Sequence, residues 1–330
     1  VDPVSQGALG AAAALIVARP EHARPVALLG ALSGMAPDLD VFIQSPRDPL
    51  FFLEYHRQFS HALVFIPVGA LLCALLASPL LRGRLSIREV YRACLLGYGS
   101  HGLLDACTSY GTQLLWPFSD LRIAWNNVSV VDPLFTVPLL IGIVVASMRK
   151  TPRFAQVAAV WAVAYLLVGA AQRERAEMVG GEIASSRGHQ PIELVAKPAF
   201  GSLLLWKTIY EYEDRYYVDA VRLGLSARSF PGQSTSKLDP RRDLRWLSPG
   251  SQQARDIERF RWYSSGYLAL DPASRNRIID VRYSMVPVRI EALWGIVLNR
   301  GAARDAHAGF FTSRKPSAEH RKETLRLFFD

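Results

Sequence analysis

The sequence predicts an all-α polytopic membrane bundle of about six apolar helices, followed by a small soluble α+β domain. Two observations carry this. The 330 residues are half hydrophobic and only 20% charged, and the charges are unevenly placed. Residues 1–172 hold 12 Lys/Arg and 10 Asp/Glu, whereas residues 173–330 hold the remaining 26 and 19. The first part is too apolar for one soluble domain, and the second has ordinary soluble composition. The domain boundary is therefore expected at 172/173. A wholly soluble enzyme, a disordered chain and a disulfide scaffold are excluded. The three cysteines, Cys73, Cys94 and Cys107, all lie in the apolar part and form no metal-type pair.

Six apolar segments run at about 7–18, 26–43, 59–81, 90–107, 128–148 and 154–172. A helix needs ~20 residues to cross ~30 Å of hydrocarbon. The third, fifth and sixth segments are long enough. The first, second and fourth are shorter or polar, as half-spans or helices buried among neighbours would be. No standard signal peptide is expected, because Asp2-Pro3 opens almost directly into the first segment.

The loops after segments one, three and five carry nine Lys/Arg, against three after segments two and four. The nine-charge side is expected in the cytoplasm of a bacterial inner membrane, with the C-terminal domain on the outer face. The net charge of +9 needs no nucleic acid to explain it beside anionic lipid, and no nucleic-acid-binding motif is present.

Ionisable groups inside a membrane region cost about 2.5–3.5 kcal/mol each on insertion scales, so three clusters need a reason. They are Pro37-Asp38-Leu39-Asp40, His56-Arg57-Gln58-Phe59-Ser60-His61, and Gly99-Ser100-His101 leading to Asp105. All three fall on one side under the expected topology, together with Asp132, Asp2 and Gln6. His101 and Asp105 are i and i+4, on one helix face. Asp38 and Asp40 are i and i+2, about 200° apart on an α-helix, so they converge only on non-helical backbone. Ser60 is an N-cap candidate between His56 and His61. Three His and three Asp suffice for two divalent metals with three protein ligands each, leaving positions for water and substrate. Zinc fits best, with manganese or iron as alternatives.

Singly, each of these residues has a plainer reading: a packed His, a helix-end Asp38, a solvated Asp40, a loop arginine at position 57. Six of them on one side at ligand spacing favour a metal. The competing readings are a non-enzymatic transporter or proton relay using the same Asp/His set, and a scaffold whose soluble domain does the work.

At these residues the sequence resembles the YdjM-like family of membrane-bound, metal-dependent hydrolases, whose first described member is LexA-regulated. The matching motifs are Asp2-Pro3, Gly30 through Asp40, His56-Arg57 with Phe59-Ser60-His61, Ser100-His101 with Leu104-Asp105, Thr108 through Thr112, Leu115-Trp116-Pro117-Phe118 and Asp132-Pro133. They cover roughly residues 1–140. The resemblance implies a metal site from Asp38, His56 or His61, His101 and Asp105, with Gln6 standing where many members carry His. The His-x-x-x-Asp spacing is also similar to that of zinc-dependent phospholipases C and related nucleases, which points to phosphoester hydrolysis on a lipid-like or lipid-linked substrate. In that case Asp38 or Asp40 would bridge metals or take a proton from water, and Arg57 would neutralise phosphate charge. Asp132 would be a ligand or orient a His, with Asp2, Gln6 and Ser60 as further supporting positions. Gly97, Gly99 and Gly102 would allow close helix approach.

In the C-terminal part, residues 176–190 either link the halves or extend the last helix. Residues 203–210 and 216–223 read as a hairpin around 211–215, and 277–285 and 292–299 as two more strands. Residues 251–263 and 318–328 read as helices and 231–249 as a loop. Trp206, Tyr210, Tyr216 and Trp262 are expected in the core. No triad, phosphate loop or ligand cluster appears; the domain would cover the membrane site, select substrate or bind a partner.

Overall fold

The computed structural model describes residues 1–313, 315 and 317–329. The chain forms two compact units, one of residues 1–43, 54–171 and 200–202, the other of 44–53, 172–199 and 203–330.

The first unit is helical. Helix α1 (Pro3–Ile16) starts where the Asp2 carboxylate accepts hydrogen bonds from Val4 N and Ser5 N, an N-cap followed by a first-position proline. Helix α2 (Ala23–Met35) runs between 3₁₀ turns at Pro20–His22 and Ala36–Phe42. A short helix α3 (Phe51–Tyr55), divided between the two units at 53/54, and 3₁₀ turns at Phe59–His61 and Leu63–Phe65 lead into α4 (Ile66–Ala77). Helix α5 (Ile87–Ala106) begins at a reciprocal Ser86/Glu89 capping box. Helix α6 (Pro133–Arg149) is capped by Asp132 and stops at Lys150 in the left-handed region, φ 52°. Helix α7 (Arg153–Ser186) is 34 residues long.

Among the described residues, three stretches are long and apolar enough to cross a membrane: Pro20–Phe42, Leu63–Leu81 and Arg153–Ser186. The expected count of about six is not supported. Segment two qualifies because its flanking 3₁₀ turns lengthen it. Segment five falls short, because Asp132 starts α6 late and Lys150 ends it after 17 residues. Segments one and four form α1, of 14 residues, and α5, which carries His101 and Asp105. Apolar side chains stand exposed on the spans, Leu76 and Leu80 by 80% and 83% and Val157 and Leu167 by 68% and 66%, as lipid contact requires.

Helices α1, α2 and α5 meet at almost bare backbone. A Cβ on Gly97 would lie 2.4 Å from Gly30 O, and one on Gly10 equally close to it. This approach brings α5 against the end of α2, where Asp38 follows.

The second unit holds two four-stranded antiparallel sheets. The first runs β1 (Glu193–Pro198), β2 (Leu205–Tyr212), β3 (Arg215–Leu223) and β4 (Ala227–Ser236) in sequence order. The second runs β5 (Leu268–Asp271), β6 (Ser274–Asp280), β7 (Trp294–Val297) and β8 (Gly309–Thr312). Helices α8 (Pro240–Asp243), α9 (Gln252–Tyr263) and α10 (Ala318–Phe329) accompany them. Ile209, Tyr216 and Val218 of the first sheet share a core with Ala269 and Ile279 of the second and with Val281 just after β6. Part of the expected loop 231–249 is β4, whose residues are mostly exposed and show no alternation. Trp206, Tyr210 and Tyr216 are buried as expected, but Trp262 is 42% exposed.

Candidate metal centre

Four side chains from three local structures converge in the first unit. Asp38 comes from the 3₁₀ turn after α2, His61 from the turn Phe59–His61, and His101 and Asp105 from one face of α5. One ligand atom from each lies within 4.8 Å of all the others. His61 Nε2 is 2.9 Å from His101 Nε2. Asp38 Oδ1 is 3.5 Å from His61 Nε2 and 3.4 Å from His101 Nε2. Asp105 Oδ2 is 3.3 Å and 3.8 Å from the same two nitrogens. A tetrahedral ion with bonds of about 2.05 Å has edges of roughly 3.4 Å, and these five separations bracket that value. His101 and Asp105 are wholly buried, His61 nearly so, and the Asp38 side chain is 25% exposed.

The surrounding groups fix which nitrogens face inward. His101 Nδ1 is 2.6 Å from Gly34 O. A carbonyl only accepts, so Nδ1 carries the proton and the neutral ring turns the Nε2 lone pair toward the centre. His61 Nδ1 lies 3.2 Å from Asp40 Oδ2 and 3.0 Å from Ser60 Oγ, and its Nε2 also faces inward. Two neutral rings in these tautomers would set lone pair against lone pair at 2.9 Å, an arrangement a shared cation resolves.

Asp40 is 4% exposed and well supplied with donors. His56 Nδ1 reaches its Oδ1 at 2.7 Å, while Ser60 Oγ and Arg57 N donate to its Oδ2 at 2.7 and 3.1 Å. Asp38 and Asp40 thus grip opposite edges of one imidazole, which non-α backbone allows and an α-helix does not. Asp38, Asp40 and His56 make a second group with metal-ligand spacing that shares Asp38 with the first.

Arg57 is buried at 7% exposure, with φ 67°. Its Nη1 donates to Thr108 Oγ1 at 3.0 Å, its Nε lies 3.0 Å from Asp105 Oδ2, and its guanidinium sits over the Tyr110 ring at 4.9 Å. The charge expected to meet a phosphate is therefore engaged with a carboxylate of the cluster. Gln6 Nε2 donates to Asp105 Oδ1 at 2.9 Å, where the Val1 amino group also lies. Asp2 and Asp132 are not brought to the cluster. Asp2 caps α1; Asp132 caps α6 and accepts from Tyr165 Oη at 2.9 Å.

The donor set fits a divalent ion. Asp105 Oδ2 is fully buried and accepts no hydrogen bond with sound geometry, even from the nearby Arg57 Nε, and Gln6 Oε1 is likewise without a donor. Leaving a buried acceptor unsatisfied costs about 1–3 kcal/mol, more when it is charged; a cation among Asp38, His61, His101 and Asp105 removes that cost. Two imidazole nitrogens and two carboxylate oxygens suit zinc, manganese or iron. Sequence reasoning missed the Gly34 carbonyl, a backbone group with no residue-type signal, and the contact of Thr108 with Arg57, whose spacing of 51 residues no local pattern reveals.

A search of curated proteins and of solved structures finds no match to the chain. Residues 1–176 match the family described as YdjM inner membrane protein. The match spans more than half of the chain and every residue of the cluster, and the chain belongs to the YdjM inner membrane protein family.

Proposed function

We propose that the chain is an integral membrane metal-dependent hydrolase that cleaves a phosphoester in a lipid-like or amphipathic substrate. The observation that carries this reading is the convergence of Asp38, His61, His101 and Asp105, whose ligand atoms all lie within 4.8 Å of one another, with both imidazoles oriented by acceptors behind them. Asp38, His61, His101 and Asp105 would hold a divalent ion, zinc first, which would supply Lewis acidity toward a phosphoryl oxygen and a water. The chain's own groups do the rest. Gly34 O and Asp40 hold the two rings, and Arg57 and Gln6 hold Asp105.

Catalysis needs a position for substrate, which a closed four-ligand site lacks. Asp38 is the partly exposed ligand and also belongs to the group with Asp40 and His56, so substrate would enter on its side, where a second ion would complete a dinuclear centre. Asp40 is the candidate to accept a proton there. The Lys/Arg excess near the opposite helix ends supports an outer-face position for this end. A proton relay would need polar groups along the spans; the convergence of these groups at one end favours a centre instead.

The test is hydrolysis by the detergent-purified chain of bis-p-nitrophenyl phosphate and of phospholipids, with added zinc or manganese. Metal-dependent release that is lost in His101→Ala supports the reading. A protein that holds its metal stoichiometrically and cleaves neither class of phosphoester contradicts it.

A further inference from the structure

The ends of the membrane helices remote from Asp38 and His61 enclose a second polar feature, a cavity of about 230 Å³. A bound water occupies roughly 30 Å³ of liquid, so the space admits a multi-atom ligand. Its apolar surface comes from Val17 and Ala18 after α1, Val26 of α2 and Ala93 of α5. Its charged rim comes from Arg19, Arg88 and Arg92.

These arginines are not equivalent. The single carboxylate in the lining, Glu89, is held by Ser86 N at 3.0 Å, Ser86 Oγ at 2.7 Å and His22 Nδ1 at 2.9 Å, with Arg19 Nε at 3.6 Å. It is turned into the capping box and toward Arg19. Arg88 and Arg92 are i and i+4 on α5, side by side, and among the described residues neither forms an ion pair. Two uncompensated guanidiniums therefore border an apolar recess at the end of the Pro20–Phe42 span, which starts next to Arg19. Guanidinium forks match phosphate oxygens. A free phosphate would use the rim alone, whereas the apolar surface suits the glycerol and first acyl carbons of a lipid.

We propose that this cavity binds the phosphate of an anionic phospholipid headgroup, with Arg88 and Arg92 as the gripping pair. The site stands apart from the metal cluster and does not depend on any hydrolytic activity.

Native mass spectrometry of the full chain in non-ionic detergent, titrated separately with phosphatidylglycerol, phosphatidylcholine and inorganic phosphate, tests it. Phosphatidylglycerol should bind at least tenfold tighter than phosphatidylcholine. Each arginine beside a membrane surface contributes about 1 kcal/mol to anionic-lipid binding, so R88Q/R92Q should weaken it about thirtyfold. R82Q/R84Q removes the same charge from the loop just before α5, outside the cavity, and should leave binding within about twofold. Equal loss in both double variants would mean general surface charge and overturn the site. Inorganic phosphate binding as tightly as the lipid, or no preference over phosphatidylcholine, would overturn the lipid assignment.

Discussion

Gly102→Ala removes no ligand, yet it should disable the metal centre. Gly102 follows His101 on α5, and a Cβ there would lie 2.4 Å from His61 O and 3.2 Å from Leu114 Cδ2. Ordinary contact begins near 3.4 Å, so α5 and the turn bearing His61 must separate by about 1 Å. The His61 and His101 nitrogens are 2.9 Å apart, and metal–ligand distances tolerate only about ±0.2 Å. The substitution therefore pulls one imidazole out of bonding range. Its expected cost is about 1–3 kcal/mol of stability from overpacking and a 10–100-fold or greater loss of metal affinity. Gly99→Ala is the control. Its Cβ meets the Ile66 side chain at ordinary contact, Cγ2 at 3.4 Å and Cδ1 at 3.9 Å, and should leave metal binding unchanged. Both variants are purified in detergent, checked by thermal melting, and titrated with zinc against a chelator of known affinity. A folded G102A protein that binds zinc as tightly as wild type would refute the pairing of His61 with His101 around one ion.

Arg57→Gln should lower metal affinity by 10–100-fold, because the guanidinium acts on Asp105; chelator competition measures it, and unchanged affinity with slowed turnover would place Arg57 on the substrate instead. Asp105→Ala should abolish bound metal while membrane insertion, read by fractionation, is intact; metal retained in that variant would remove Asp105 from the ligand set. In the second unit, Lys207 is buried at 3% exposure, with Nζ donating to Ser284 Oγ at 2.8 Å and Arg289 O at 3.0 Å. Burial, opposed by Asp280 and Glu291, lowers its pKa to about 7. Between pH 7 and about 10 the unfolded chain binds the extra proton, so wild-type stability rises with pH through this window, by on the order of a few kcal/mol. Lys207→Met should flatten that rise in melting temperatures measured across the window; parallel curves for the two proteins would refute it.

The candidate cluster was legible because His101 and Asp105 sit four apart on a helix and because charged groups in an apolar region need a partner. The choice of His61 over His56 beside His101 and Asp105 was not, since it depends on a 3₁₀ turn and on glycine contacts between helices far apart in sequence. Arg57 illustrates the limit: its type suggested phosphate, while its left-handed backbone and its neighbours Asp105 and Thr108 place it behind a ligand. In the second unit the hairpin of β2 and β3 was readable from its apolar runs and from the turn at Glu213 and Asp214, both with positive φ. Helix α9 was readable from Ser251, its N-cap. Strand β4 was not, because it is an exposed partner of β3 whose polar residues mimic a loop. The span count failed because caps and polar groups interrupt the apolar runs: Asp132 and Lys150 hold α6 to 17 residues, α1 has 14, and α5 carries His101 and Asp105.

The central claim is that Asp38, His61, His101 and Asp105 hold a transition metal. Elemental analysis of the detergent-purified full chain tests it most directly. The expected result is at least one equivalent of zinc, manganese or iron per chain, absent from His101→Ala. A wild-type protein carrying no such metal, and taking none up when dialysed against micromolar zinc, would contradict it.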